Sequence, residues 1–454
     1  MDSRTAPSVS RRALVKLAGA GMAASALGAA PIARRRAAAQ EYRFPAAGKP
    51  YEGTVLNVAM VAEPKPLALK ELIPEFEELT GITVNFEDLA YSTLQEKQLT
   101  AVTQGTSTYD IVHVDCVWMG QYAGQGWLAP VDEFVAATDP AVLDIEDFVP
   151  KLLDELCVWD GALYGLPFDT SIMMFYYRTD LLEKHGFEPP QTWEQVQAAA
   201  AAITEAEQGN DVSGITLMAK RGVQLGCTYG CLLGANGGYY YDDAFKATLA
   251  EPPAVTALED LNGLVAIANP GSLAQDYDEG DAFFSGGQAA MFVQWNDSIP
   301  AYNDPERSKI VGNWSAAVMP GVEQEDGTIL RSPVIGGWNT GILADSANKE
   351  AAWEFLLWAV SKDMERRLAP AQPPARASVL SDPEIAAEYP EYGPMLESLQ
   401  VAWGRPRIDV WPQMTDVIEG ALSEAVTGQQ APADALTAAN QSVDEILFAG
   451  GFQG

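Results

Sequence analysis

The residues best equipped for chemistry lie where apolar runs end. Trp295-Asn296-Asp297 sets a ring, an amide and a carboxylate side by side after one such run. Glu63, Tyr91, Asp115 and Trp118 fall in the loops that follow three others. Aromatic faces cover C–H surfaces, while carboxylates and amides take hydroxyls in oriented hydrogen bonds or hold a cationic head. This pattern suits capture of a small hydroxylated or cationic molecule. Two carboxylates could instead flank a scissile glycosidic bond, but 61 Asp and Glu follow residue 40, so pairs carry little weight. Structural roles compete at several positions: Trp118 could pack the start of a helix and Asp297 could cap one. Only two histidines are present, His113 and His185, which all but excludes imidazole general-base chemistry. His113 sits inside an apolar run and reads as a packed strand residue. Neither histidine lies near a cysteine pair at zinc-like spacing, and no phosphate loop, Gly-x-Ser-x-Gly elbow or His-Glu-x-x-His pattern occurs. No catalytic residue, metal or cofactor is expected.

The elements that must position these groups are legible in the first third of the chain. Residues 55–61 read as a largely buried strand, followed by Leu69, Leu72, Ile73, Phe76 and Leu79 at helical spacing and Gly81 as a stop. Residues 82–86 form a second strand, a helix covers about 94–102, and 109–114 form a third strand. Alternating strands and helices predict a parallel sheet covered on both faces, with ligand beyond the carboxyl ends of its strands. Further on, Asp160-Gly161 signals a hairpin, 172–177 a strand, and apolar strands run up to Trp295 and toward Gly336-Gly337-Trp338. No internal repeat is visible.

The chain opens with Ser10-Arg11-Arg12-Ala13-Leu14-Val15-Lys16, an apolar small-residue segment to Ile32, and Ala37-Ala38-Ala39. This resembles a twin-arginine export signal cleaved near Ala39 or Gln40. The apolar part is too short to span a bilayer well. Residues 1–40 carry a net +6, leaving −40 of the overall −34 on the remainder. Acidity spread along the chain argues against nucleic acid and anionic membranes as partners. The roughly 414 remaining residues suffice for two domains. Cys116, Cys157, Cys227 and Cys231 are compatible with buried thiols or with one disulfide.

Five segments in order then resemble the extracellular solute-binding proteins of ABC importers, in the family whose members mostly bind sugars. They are Thr80-Gly81-Ile82-Thr83-Val84, Tyr109-Asp110-Ile111-Val112 with Gly126-Trp127-Leu128-Ala129-Pro130, and Gly161-Ala162-Leu163-Tyr164-Gly165-Leu166-Pro167 leading to Phe175-Tyr176-Tyr177-Arg178. Phe284-Ser285-Gly286-Gly287-Gln288-Ala289-Ala290-Met291 and Gly336-Gly337-Trp338 before Ser346-Ala347-Asn348-Lys349 complete the set. Tyr177 departs from the Asn usual in the family, at a position that supports a turn.

The resemblance implies an α/β, two-lobed periplasmic-binding-protein-like fold, each lobe a mostly parallel sheet flanked by helices, with the ligand in the cleft. It implies an export signal over 1–40, a first lobe of 41–169 plus 337–372, and a second of 170–336 plus 373–454. Hinge crossings fall near 169–171, 336–337 and 369–376. It adds Asp169, Gly337, Trp338 and Arg376 as cleft residues, and Trp411 more weakly. The implied function is capture of a carbohydrate by hinge closure, outside the cytoplasm, by a monomer that delivers it to permease subunits. A polyamine or other cationic solute is the alternative, against which an Arg in the cleft would count; a secreted glycosidase is more remote.

Overall fold

In the computed structural model, which describes residues 44–46, 48–105 and 108–453, two five-stranded sheets account for most of the strand structure. The strands are, in chain order, β1 (Val55–Val61), β2 (Thr83–Leu89), β3 (Ile111–Asp115), β4 (Leu166–Pro167), β5 (Ser171–Arg178), β6 (Met291–Trp295), β7 (Trp314–Ala317), β8 (Val334–Gly336), β9 (Trp338–Ile342) and β10 (Trp403–Gly404). The stretch expected to be an export signal, with its expected cleavage site near Ala39 or Gln40, lies outside the described residues.

The first sheet has the order β2-β1-β3-β9-β4. β1 runs parallel to β2 and β3, and β9 lies antiparallel between β3 and β4. Its early part forms as periodicity predicts. Leu69, Ile73 and Phe76 of the helix Pro64–Thr80 are buried, and Gly81 ends that helix at φ 75°, a left-handed conformation suited to glycine. The second sheet has the order β10-β8-β5-β6, with β7 also on β5. Here the expectation of a mostly parallel sheet fails: β5 is antiparallel to β6, β7 and β8, and only β8 with β10 is parallel. The crossings explain this. β5 begins at the crossing from the first lobe and runs away from it, whereas β8 runs toward the crossing through which the chain returns. β9 opposes β3 for the same reason. The two-lobed α/β class itself holds.

Both crossings are tied to a third segment. Asp169 accepts hydrogen bonds from the Trp338 amide (2.9 Å) and from Gln372 Nε2 (2.7 Å). Thr170 Oγ1 donates to Pro374 O at 2.6 Å. Beneath them Lys65, fully buried, pairs with Glu365 (2.9 Å) and donates to Phe168 O, while Glu365 accepts from the Ala375 amide (2.9 Å). All four cysteines are buried free thiols, which decides the question that composition leaves open.

Candidate ligand-binding site

A cavity of about 690 Å³ lies between the lobes, at the strand ends that face the crossings. Glu63 follows β1, Tyr91 opens the helix after β2, Asp115 closes β3, and the register sets Trp338 directly opposite Asp115. From the second lobe come Trp295 and Asp297 at the end of β6, Gln224 near the start of the helix Val223–Ala235, Tyr277 and Asp281 from the helix Tyr277–Ser285, and Arg405 just past β10. Ligand beyond the carboxyl ends of strands is the general rule for open α/β sheets.

Each lobe supplies one indole wall. Trp338 stacks on His113 (4.8 Å, 11°), meets Tyr91 and Trp118 edge-on, and donates from Nε1 to Glu63 at 3.1 Å. Trp295 donates from Nε1 to Gln224 Oε1 at 2.7 Å. Its ring packs on Gly336, where a Cβ would come within 2.8 Å of the indole, so only glycine leaves room at that crossing. Gly337, at φ 118°, lines the cavity itself. Tyr91 donates to Asp115 at 2.7 Å, and Arg405 approaches Asp115 at 3.6 Å from across the cleft. Burial pushes the Glu63 carboxyl well above the usual range, with Asp297 and Asp169 adding to the effect. Burial likewise lifts Asp297 to about 7 and Asp169 to about 6. Among the described residues no group of three or more His, Cys, Asp or Glu is placed to hold a metal ion.

The model of the bacterial extracellular solute-binding protein family matches residues 62–366, about two thirds of the chain. The chain belongs to that family. A probable amino-acid ABC transporter periplasmic-binding protein of Sinorhizobium fredii is 26% identical over 380 residues, 81% of this chain and 84% of that protein. A mannitol-binding protein of Pseudomonas aeruginosa is 27% identical over 422 residues, 87% of this chain and 94% of the other. An ABC transporter solute-binding protein of Agrobacterium radiobacter, solved in complex with ribitol, superposes with a TM-score of 0.81 at 28% identity, covering 87% of this chain and 99% of that one.

In this solute-binding protein the structure gathers Glu63, Tyr91, Asp115, Trp295, Asp297, Gly337 and Trp338 around the cavity. The other five expected residues are placed elsewhere. Trp118, 2% exposed, sits behind Trp338 between Tyr91 and Tyr122 and supports the wall from within. Asn296 and Asp169 spend their polar atoms on the crossings: Asn296 accepts from the Ile172 amide (2.8 Å) and donates to Thr170 O (2.9 Å). Arg376 turns into the first lobe, where it lies over Phe148 (4.0 Å) and donates to the carbonyls of Val360, Leu143 and Asp144. Those carbonyls lie at the ends of two helices, Pro140–Leu143 and Lys349–Ala359, where the last carbonyls lack helical partners, and a guanidinium with five donors satisfies several at once. Trp411 packs on Tyr240 at 4.8 Å in the second lobe.

Gln224, Tyr277, Asp281 and Arg405 escaped the sequence reading. Arg405 lies in the cavity where Arg376 was expected, and its only signal is an Arg two residues past Trp403, after a two-residue strand too short to show a pattern. Tyr277 and Asp281 share a helix face by their spacing of four, but spacing does not say which face meets the cleft.

The raised carboxyls set a pH dependence. Between about pH 4 and pH 7 the folded protein holds the Asp297 proton that the unfolded chain has released. Stability from this group is therefore full below about pH 4 and declines as pH rises to about 7. Asp169 acts with the same sign up to about pH 6. Groups with lowered values, such as Glu207 at about 2, act with the opposite sign and below this window. Thermal melts of the ligand-free protein should show Tm falling from pH 5 to pH 8, with a shallower fall in Asp297→Asn. An unchanged slope in the variant would show that Asp297 ionises normally.

Proposed function

We propose that this protein captures a carbohydrate, either a small sugar, a short oligosaccharide or a polyol, between its lobes and hands it to the membrane subunits of an ABC importer without transforming it. The carrying observation is the pairing of Trp295 and Trp338 from opposite lobes across one cavity, with carboxylates from both lobes among them. Indoles suit the C–H faces of such ligands and carboxylates their hydroxyls. The names of two relatives, one binding mannitol and one solved with ribitol, support the class. Arg405 inside the cavity weighs against a simple polyamine. Closure would turn on the crossings tied by Asp169, with ligand favouring the closed form. Export by the twin-arginine route and action as a monomer complete the proposal; no helix among the described residues is long and apolar enough to cross a membrane.

The test is a thermal-shift screen of the protein against sugars, polyols and polyamines, followed by titration of tryptophan fluorescence. A ligand specific to the folded state should add about 2.7 kcal/mol at a hundredfold excess over Kd, with no product released from glycosides. Response to polyamines alone, or turnover of a glycoside, would overturn the reading.

A further inference from the structure

The charge inside the cavity is out of balance in a way that a neutral sugar does not correct. Glu63 reaches in from the first lobe, and Asp281 and Asp297 from the second. None of the three is ion-paired with a Lys, Arg or His among the described residues, whereas the cations Arg405 and Lys220 of the lining are each paired with another carboxylate. Arg405 is committed to Asp115 at 3.6 Å, and its guanidinium also touches Cys116 Sγ at 3.5 Å. Lys220 pairs with Asp276 at 3.4 Å, both of them well exposed at the rim. Asp276 and Glu279 form the capping box of the helix Tyr277–Ser285. Arg307, exposed at the rim, lies on the Asp281 side and, against the burial that raises that carboxyl, acts to lower it without pairing with it, which leaves Glu63 and Asp297 as the acids without a cation. The inner acids are also incompletely satisfied: Asp297 Oδ1 and Asp281 Oδ1 are buried without a hydrogen-bond partner. Such atoms cost free energy until something donates to them, and more when charged.

Glu63 and Asp297 enter the one cavity from different lobes, and Asp297 is among the groups that push the Glu63 carboxyl up, so over a neutral molecule the two carboxyls cannot both ionise without repulsion. A protonated amine placed between them removes that repulsion and supplies up to three charge-assisted hydrogen bonds. The hydroxylated frame of the ligand is still needed to occupy the space between Trp295 and Trp338.

Resting on the carbohydrate reading above, we infer that the cleft is built for an aminated polyol or amino sugar, whose ammonium sits between Glu63 and Asp297 and draws the lobes together. The metal alternative is unsupported, since no set of three ligating groups converges among the described residues.

Isothermal titration of the protein at pH 7 would compare 1-amino-1-deoxy-hexitols with the parent hexitols, glucosamine with glucose and N-acetylglucosamine, and spermidine as an amine without hydroxyls. The expected result is at least tenfold tighter binding of an aminated ligand than of both its hydroxyl parent and its N-acetylated form. Glu63→Gln and Asp297→Asn, isosteric changes that remove one charge each, should shrink that ratio toward unity. Equal or tighter binding of the neutral parent would overturn the inference and leave the carbohydrate reading standing. Spermidine binding tighter than every hydroxylated amine would overturn both, and no binding by any of the panel would overturn the inference while a short oligosaccharide stays open to the carbohydrate reading. The ratio in the unaltered protein is decisive even if a variant folds poorly.

Discussion

Trp338→Ala is expected to lower ligand affinity by about thirtyfold or more and to reduce Tm by about 6 °C. The indole is 5% exposed and makes three kinds of contact that no smaller residue replaces. It forms the wall of the cavity, it stacks on His113 at 4.8 Å, and its Nε1 holds Glu63 at 3.1 Å. Truncating a packed Trp costs about 3–5 kcal/mol, and central aromatic anchors of a binding site commonly account for 2 kcal/mol or more of binding, tenfold in Kd for about each 1.4 kcal/mol. At roughly 2 °C per kcal/mol for a chain of this size, 3 kcal/mol gives the stated fall in Tm. Trp338→Phe separates the components, because a phenyl ring keeps a face for ligand and for His113 but cannot donate to Glu63. It should therefore fall between the two. Fluorescence titration and melting of both variants supply the check. Normal affinity in Trp338→Ala would reduce this residue to core packing.

The second large effect belongs to Lys65 and Glu365, a fully buried ion pair under the crossings. Removing one partner of such a pair leaves a charge stranded in low dielectric and costs about 3–5 kcal/mol. Lys65→Met should therefore destabilise the protein by that amount in urea titration. It also removes the donor to Phe168 O, at the foot of the first crossing. Replacing both partners by apolar residues is far milder, since each ion's desolvation is avoided together with the attraction. Lys65→Met with Glu365→Leu should recover most of the loss. It should not recover all, because the Ala375 amide then lacks its acceptor, which costs about 1–3 kcal/mol. If the single variant is as stable as the unaltered protein, the pair is not what holds the crossings to the first lobe.

How much of this was legible in the chain depends on the range of the interaction. The run from β1 to β3 follows from local patterning, since apolar spacing, the Pro64 start and the Gly81 stop act within a turn or two of helix. Cleft residues of the first lobe followed from the same patterning, because a predicted parallel sheet locates its own strand ends. Glu63, Tyr91 and Asp115 were found that way. The second lobe resisted, because β5, β6 and β8 pair antiparallel across long connections, and apolar runs alone do not give strand direction.

What the sequence by itself determined is the α/β class, the family, the strand ends that line the cleft on the first side, and the aromatic and acidic character of the site. Only the tertiary structure decided which polar groups face the cavity and which tie the crossings. Asp169 and Asp297 are alike in sequence, each a carboxylate beside a strand. Asp169 meets Gln372, 203 residues away, and the Trp338 amide, and is consumed by the crossing. Asp297 keeps one buried oxygen without a partner and faces the cavity. The same holds for the two arginines: Arg376 finds orphan carbonyls in the first lobe, and Arg405 finds Asp115 across the cleft. A side chain's type limits what it can bond, but its role is set by which partner the fold brings within about 3 Å, and that partner is chosen by packing between segments hundreds of residues apart.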